Sequence, residues 1–346
     1  MLTTLAEVAL RNGATMTIRL CEPPEEDCAR RLLHFLRHKD DDSSRGIRQR
    51  VLGQYTEHSV DRYFVGEVEG RLVGQIWYGL PRVDDGRTWY VGNFGHVYTD
   101  PDWRGQGIAH ELTRVVVDHF KADPLGSCLL CSASEQSGRI YRRFGFEFIP
   151  PTANSGAMAL LKPSVAPSFA ALDEQYFAPG LPVTVRLGHI GDRHDLDRML
   201  DFSAPWIEAR KSWHLTGLSR WTPTFISALH HVEDGRGLMT VLQTNSGSLV
   251  GYAFVLSLGS RYETGVKTFD LVVHPHYLME GQGLATETLR LAHEAGMSGI
   301  HATVAACDQD KLSLLRSAGF TEQYRFADAF VLDEERHNVL LLRAEG

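Results

Sequence analysis

The sequence lacks any long run of apolar residues and is poor in cysteine. No apolar stretch approaches the roughly 20 residues that a membrane-spanning helix needs. The N-terminus does not show the basic and then apolar pattern of a signal peptide. The 5 cysteines are an odd number without regular spacing, which is typical of a reducing compartment. We therefore expect a cytoplasmic protein that does not contact a membrane.

A metal site and a nucleic-acid interface are both disfavoured. Cys128 and Cys131 have the spacing of half a zinc site, but no second pair or nearby histidine completes four ligands, so we predict no metal. The net charge of −8 argues against nucleic acid, which requires a basic face. The same charge permits a cationic amine substrate without requiring one.

At 346 residues, with 43% hydrophobic and 23% charged residues, the chain has the length and composition of two globular domains. Residues 163–182 contain four prolines and little periodicity, so we interpret 166–182 as a linker. The predicted domains are 1–165 and 183–346. Several short strings recur in the same order in both, including Leu72-Val-Gly with Leu249-Val-Gly and Gly145-Phe with Gly319-Phe, as an internal duplication would leave.

Local patterns predict most elements of the first domain. Alternation predicts a strand over 15–20, and apolar spacing predicts a helix over 27–37. Two strands over 63–68 and 72–78 surround a turn. For residues 1–14 we expect one or two helical turns that stop at Gly13, and we expect a solvated loop at 40–44.

The stretch from Asn93 to Ala109 is the most informative in the chain. It predicts a strand over 93–99, a turn at Pro101, a glycine-rich loop and a helix that runs from about Gly107 towards Lys121. Glycines before a helix leave unpaired amide N–H groups and the positive end of the helix dipole at one point, which favours an anion. Arg104 adds a cation there.

This loop is neither a Walker loop, because no Gly-Lys-Ser/Thr follows, nor a dinucleotide fingerprint, because the glycine spacing differs. Its pattern of Pro101, Trp103, Arg104, Gly105, Gly107 and Ala109 resembles the acyl-CoA motif of the GNAT superfamily of N-acyltransferases. Tyr141 followed four residues later by Gly145-Phe146 resembles the family's second cofactor motif.

The resemblance implies an α/β (α+β) fold of two tandem GNAT domains, each a mixed, mostly antiparallel sheet flanked by helices. It also implies transfer of an acyl group from acyl-CoA, acetyl-CoA above all, to an amine. The strand backbone at Val97, Tyr98 and Thr99 would bind the pantetheine arm. The residues expected to hold the pyrophosphate are Arg104, Gly105, Gln106, Gly107, Ile108 and Ala109.

Four side chains of the first domain are candidates for chemistry or for contact with the cofactor. Tyr141 matches the family's usual proton donor to the leaving thiolate, or else packs under the sheet. His96 could deprotonate the amine, or else bonds a backbone group. Ser137, one helical turn before Tyr141, and Ser134 could contribute a hydroxyl.

The second domain departs from the motif. Glu280 stands at the position of Arg104, Leu315 replaces Tyr141, and two extra residues separate Pro275 from the glycines. A carboxylate beside a pyrophosphate is repulsive, so we predict that the tight cofactor site lies in the first domain. Asp270 is a candidate acid or base of the second domain, or else an Asp that bonds a loop.

We therefore expect an acyl-CoA-dependent N-acyltransferase that acts as a monomer or homodimer on a small amine, for example in secondary metabolism such as antibiotic biosynthesis. Two alternatives stay open. One is a non-catalytic acyl-CoA sensor or scaffold, and the other is a protein N-acyltransferase.

Overall fold

The computed structural model describes residues 2–38, 41–82, 87–149, 151–200, 221–257, 265–332 and 334–344. The chain divides into two compact units, Met1–Glu174 and Gln175–Gly346. Each unit holds one mixed sheet with helices packed on it, so the predicted α+β class is confirmed. The linker drawn at 166–182 stays a prediction, and the structure places helix α5 (Phe169–Tyr176) within that range.

The first unit is built on an eight-stranded sheet, counted over the described residues. The strands are β1 (Leu2–Ala9), β2 (Thr15–Cys21), β3 (Ser59–Val68), β4 (Arg71–Pro81), β5 (Val91–Thr99), β6 (Cys128–Ala133), β7 (Glu147–Phe148) and β8 (Gly156–Leu161). The helices are α1 (Glu26–Phe35), α2 (Asp41–Val51), α3 (Ile108–Ala122) and α4 (Glu135–Tyr141), with 3₁₀ turns at Pro101–Trp103 and Arg142–Phe144.

The strand order is β1-β2-β3-β4-β5-β6-β8-β7. Neighbours are antiparallel except β5 and β6, which run parallel. A parallel pair needs a crossover connection, and α3 supplies it. The crossover fixes the loop before α3 at the end of β5, in the middle of the sheet.

Both faces of this sheet are covered, which explains why β3 and β4 read as nearly continuous buried runs. On one face α3 presents Leu112, Val116 and Phe120, all fully buried, to the strands. These residues recur at helical spacing, so α3 has one apolar face. On the other face α1 and α2 pack against Trp77 and neighbouring side chains.

The second unit has a seven-stranded sheet, again counted over the described residues, in the order β14-β15-β13-β12-β11-β10-β9. The strands are β9 (Val183–Leu187), β10 (Gly237–Thr244), β11 (Leu249–Leu256), β12 (Lys267–Val273), β13 (Ile300–Ala305), β14 (Phe320–Leu332) and β15 (Glu335–Ala344). The helices are α6 (Arg193–Leu200), α7 (Trp221–Glu233), α8 (Leu278–Glu294) and α9 (Gln309–Ser317). None of the helices described in either unit is long and apolar enough to cross a membrane.

The two units share a plan, as the sequence repeat predicts. In each, only one described strand pair is parallel, β5 with β6 in the first and β12 with β13 in the second. In each, a helix bridges that pair, and a second, shorter helix is followed within four residues by a glycine with a left-handed backbone. These glycines are Gly145, with φ 95°, and Gly319, with φ 91°.

Two local predictions are wrong. Residues 2–9 form β1 rather than helical turns, because the turn at Gly13 folds the chain back so that β1 pairs with β2. Gly13 lies in the turn of this hairpin and does not follow a helix. The expected loop at 40–44 is, from Asp41 on, the start of α2. Acidic residues suit the positive N-terminal end of a helix as well as they suit a solvated loop.

Candidate functional site

The glycine-rich loop connects the end of β5 to α3. Asp100 starts the 3₁₀ turn by accepting a hydrogen bond from the Asp102 N–H at 3.0 Å. Gly105 and Gly107 both have left-handed backbones, with φ 79° and 91°. Such angles cost other residues strain, so glycine is required for this path. Gly107 is the N-cap of α3 and provides no side-chain hydrogen bond to the helix.

The start of α3 is therefore a place for an anion. The first N–H groups of a helix have no partner within the helix, and here no side chain caps them. The positive end of the helix dipole adds to their attraction for negative charge. Arg104 is exposed next to the glycines and can donate to phosphate oxygens. The loop from Arg104 to Ala109 thus brings a cation and uncapped amide N–H groups together, and its binding of a pyrophosphate stays a prediction.

Arg11, which sequence reasoning missed, is a second cation at this loop. Its guanidinium donates to the Gly105 carbonyl at 3.3 Å, and its backbone N–H donates to the Gln106 carbonyl at 3.4 Å. Arg11 lies in the hairpin between β1 and β2. Because the contact joins residues far apart in the chain, no local motif could have identified it.

The parallel strands β5 and β6 separate beside this loop. The described pairs join Val91–Asn93 of β5 to Cys128–Leu130 of β6. Both strands continue beyond these pairs without pairing to each other. The other edge of β5 stays paired with β4, with Tyr98 opposite Gln75 and Thr99 opposite Gly74. The backbone of Val97 to Thr99 therefore borders a gap that can take an extended ligand arm as if it were an added strand.

His96 lies in an irregularity of β5, where the register with β4 shifts. Its backbone is left-handed, with φ 51°, which is uncommon for a residue with a side chain. The Gln75 side-chain amide donates to the His96 carbonyl and supports this conformation. The imidazole lies 5.3 Å from the Trp77 ring, on the sheet face that α1 and α2 cover. Residues held in such conformations cluster at functional sites.

Tyr141 ends α4 on the other face of the sheet and is 5% exposed. Its ring meets Phe94 edge-on at 5.0 Å between centroids. Burial, with a smaller contribution from Cys131, raises the pKa of Tyr141 well above its ordinary value. The phenol therefore keeps its proton at neutral pH, as a proton donor must.

Ser137 accompanies Tyr141. Its hydroxyl lowers the pKa of Tyr141, against the larger effect of burial, and lies 3.0 Å from the Ser134 hydroxyl. Ser134 caps α4 by accepting from the Ser137 N–H at 3.2 Å. Both serines thus have a structural role at the start of α4, and Ser137 also touches the candidate donor.

The second unit has no equivalent loop among its described residues. Gly281 and Gly283 lie inside α8, which begins at Leu278. From Gly281 onward the amide N–H groups are in the position to bond within the helix, so they do not converge on a ligand. A Cβ on Gly281 would come within 3.0 Å of Leu314 and 3.1 Å of Val273, so this glycine permits close packing.

The second unit has a buried ion pair at positions equivalent to candidate site residues of the first unit. The Lys311 ammonium on α9 contacts the Asp270 carboxylate on β12 at 2.8 Å, and both side chains are more than nine-tenths buried. Aligned on Gly145 and Gly319, Lys311 takes the position of Ser137. Burial raises the pKa of Asp270, and the attraction of Lys311 opposes that rise. Leu315, at the position of Tyr141, is buried and has no proton to donate.

One side-chain cluster of the first unit was not considered in the sequence. Ligand atoms of Cys21, Glu25 and Cys28 lie within 4.8 Å of one another. The hydrogen bond with Cys21 and burial raise the pKa of Cys28. Protonated thiols are poor metal ligands. The sequence spacing of Cys21, Glu25 and Cys28 matches no metal-binding motif, so the cluster could not be recognised before the structure.

Residues 43–159 match the family described as acetyltransferase (GNAT) domain. No curated protein compared with the chain matches it. Three solved structures are reported for comparison. A GNAT-family acetyltransferase from Streptococcus pneumoniae is 14% identical, with a TM-score of 0.37, and the match covers 47% of this chain and 98% of that one.

The other two come from Vibrio species. Ribosomal-protein-S5-alanine acetyltransferase from Vibrio fischeri is 13% identical, with a TM-score of 0.36, and the match covers 46% of this chain and 91% of that one. A point mutant of spermidine N-acetyltransferase from Vibrio cholerae is 15% identical, with a TM-score of 0.33 and coverage of 46% and 94%. Similarity at this level says nothing about the substrate of this chain.

The family match over 43–159 includes β5, the glycine-rich loop, α3 and Tyr141. The first unit therefore contains the match to a GNAT acetyltransferase domain.

Proposed function

We propose that the first unit transfers an acetyl group from acetyl-CoA to the amine of a small molecule. One observation carries this proposal: the uncapped start of α3, with its two left-handed glycines and Arg104, adjoins the open edge of β5. A diphosphate and an extended pantetheine arm have the charge and shape that these two features accept.

In the proposed reaction the free amine of the acceptor attacks the thioester carbonyl carbon. A C–N bond forms, the C–S bond breaks, and the CoA thiolate leaves. A free alkylamine is almost wholly protonated at neutral pH, so it must lose a proton before attack. His96 would remove that proton, directly or through water, from the face that α1 and α2 cover.

The leaving thiolate would take a proton from Tyr141. Tyr141 has its proton at neutral pH, as any tyrosine does, and its raised pKa makes it a weaker acid than an exposed phenol. A departing thiolate has a pKa of about 8.5, so protonation helps it leave without being indispensable. The backbone of Val97 to Thr99 would hold the arm of the donor, while the groups from Arg104 to Ala109 would hold its diphosphate.

The second unit has a different role in this proposal. The helical conformation of Gly281 and Gly283 removes the uncapped helix start, although β12 and β13 separate after three pairs as β5 and β6 do. The buried pair of Asp270 with Lys311 occupies the sequence positions of His96 and Ser137. We therefore propose that one unit binds acetyl-CoA tightly. Asp270, considered as an acid or base from the sequence, is engaged by Lys311 and is better assigned to stability.

The direct test is to incubate the protein with acetyl-CoA and a panel of amines and to follow the release of free thiol. The panel includes intermediates of secondary metabolism, short peptides and simple alkylamines, so that metabolite and protein acceptors are separated. Thiol release that depends on one class of amine supports the proposal. Release that no amine stimulates, with acetyl-CoA still bound, would instead favour a donor-binding scaffold.

Replacing Tyr141 by phenylalanine distinguishes its two interpretations. The ring and its packing against Phe94 are kept, and only the hydroxyl is lost. If the phenol donates a proton, kcat should fall by about a hundredfold, at the low end of the range for general acid catalysis, while the KM for acetyl-CoA changes little. Steady-state kinetics with the best amine of the panel measures both. Unchanged kcat would assign Tyr141 to the core.

A further inference from the structure

A pocket of about 800 Å³ lies on the side of β5 that faces α1. It is bounded by α1, by the turn between β3 and β4, and by the end of β5. Its charged and aromatic lining includes Arg30, Arg31, His34, Arg37, Arg71 and Tyr98. The glycine-rich loop from Arg104 to Ala109, assigned above to the donor, is not part of this lining.

The lining is basic, although the chain as a whole carries a net charge of −8. Four arginines and two histidines face two carboxylates, Asp100 and Asp102. Those two carboxylates are occupied, because Arg71 contacts Asp100 at 2.8 Å and Asp102 at 3.6 Å. A pocket that concentrates cations within an acidic protein attracts anionic ligands.

Arg37 is the arginine of this lining that has no carboxylate partner among the described residues. Arg30 and Arg31 pair with Asp27 and Glu67. Arg37 instead donates to the imidazole of His34 at 2.7 Å, and no carboxylate contacts it among the residues that the structure describes. A guanidinium beside an imidazole can bind a carboxylate or phosphate from two directions.

Tyr98 connects the pocket to the proposed site of reaction. It stacks on His38 at 3.9 Å between ring centroids and meets Phe35 edge-on at 5.1 Å. Tyr98 follows His96 by two residues on β5, so their Cα atoms are at most about 7 Å apart. A ligand of a few bonds' length can therefore extend from the basic lining along Tyr98 towards His96.

We propose that this pocket receives an acidic group of the acceptor, so that the substrate is an amine that also carries a carboxylate or phosphate. The proposal rests on the acetyltransferase function proposed above. Arg37 and His34 would bind the acid, the Tyr98 ring would support the intervening atoms, and the amine would reach His96. The net charge of the chain gives no hint of this preference, since only the pocket is basic.

The test compares amines that differ by one acidic group. Ethanolamine is paired with O-phosphoethanolamine, and 2-phenylethylamine with phenylalanine. In each pair we expect the acidic member to have a kcat/KM for acetylation at least about tenfold higher, equivalent to about 1.4 kcal/mol in transition-state binding. An equal or higher kcat/KM for the member without the acidic group in both pairs would overturn the proposal while leaving the acetyltransferase function intact.

Arg37→Glu should remove the preference. We expect it to lower kcat/KM for the acidic amines by at least about tenfold and to change the values for the partners without an acidic group by less than about twofold. Arg114→Glu makes the same change of charge at a partly exposed side chain of α3 that does not line the pocket. It should leave the preference intact. A change in the KM for acetyl-CoA with Arg37→Glu would instead assign the pocket to the donor and overturn the proposal.

Binding without acetyl-CoA gives a readout that does not depend on turnover. O-phosphoethanolamine should shift the imidazole NMR signals of His34 and His38 in the wild-type protein and not in Arg37→Glu, whereas ethanolamine should shift neither. Absence of any shift with O-phosphoethanolamine and with phenylalanine would refute the pocket assignment. Shifts without acetylation of any amine would support the pocket while contradicting the proposed function.

Discussion

Replacing Arg104 by glutamate should weaken the binding of acetyl-CoA by at least about a hundredfold. A charge-assisted hydrogen bond contributes about 1.5–3 kcal/mol, and about 1.4 kcal/mol corresponds to a tenfold change in affinity. Loss of the guanidinium therefore accounts for about tenfold to a hundredfold. The new carboxylate repels the diphosphate and opposes its attraction to the start of α3. Isothermal titration calorimetry with CoA measures the change.

Two control variants show whether the effect belongs to the loop. Arg104→Lys keeps the charge but loses the planar fork, so we expect a smaller loss of affinity. Arg114→Glu reverses a charge two turns into α3, where the N-terminal amides are distant, and should have little effect. Affinity of Arg104→Glu within about twofold of the wild type would place the diphosphate elsewhere and remove the basis of the proposed function.

Replacing Lys311 by methionine should lower the free energy of unfolding of the second unit by about 3–5 kcal/mol. The substitution leaves the buried carboxylate of Asp270 without its partner, which is far costlier than losing an exposed ion pair. Chemical denaturation followed by tryptophan fluorescence measures the loss. Arg290→Met, which removes a partner of Glu287 and Glu294 on the exposed side of α8, should cost far less.

The loss should depend on pH in a definite direction. Burial already raises the pKa of Asp270, and without Lys311 this pKa should rise further. A carboxyl whose pKa is higher in the folded than in the unfolded state favours folding at low pH and loses that contribution as the pH rises through the folded pKa. The destabilisation of Lys311→Met should therefore shrink as the pH is lowered from neutrality.

The double variant Asp270→Val with Lys311→Met completes the argument. Replacing both charges by apolar groups removes the unpaired carboxylate, so most of the stability should return. If the double variant is as unstable as Lys311→Met, the loss comes from packing around α9 and not from charge.

The sequence predicted those parts of the fold that depend on neighbouring residues. The strand at β5, the glycine-rich loop and α3 follow from alternation, from two glycines and from apolar spacing, and the structure contains all three. The repeated strings predict a second domain with a similar sheet, and the second unit contains one. The α+β class follows from these elements together.

Features that depend on distant residues could not be predicted. Residues 2–9 form a strand because β2 is available to pair with them, and this overrides any weak local preference. Arg11 reaches the glycine-rich loop, and Lys311 reaches Asp270, only through the fold. The pocket that Arg37 lines joins three separate segments of the chain, none of which has an unusual sequence.

The two Gly-Gln-Gly strings show that identical letters can lie in a loop in one unit and in a helix in the other. In the second unit the longer spacing from Pro275 lets α8 begin before the glycines, and Gly281 is then held by contact with Leu314 and Val273. Selection can thus preserve a glycine for close packing after it has stopped binding a ligand. Conservation of Gly281 among descendants of the duplicated copy would record the tight fit between helix and strand, and would be misread as evidence of a second ligand.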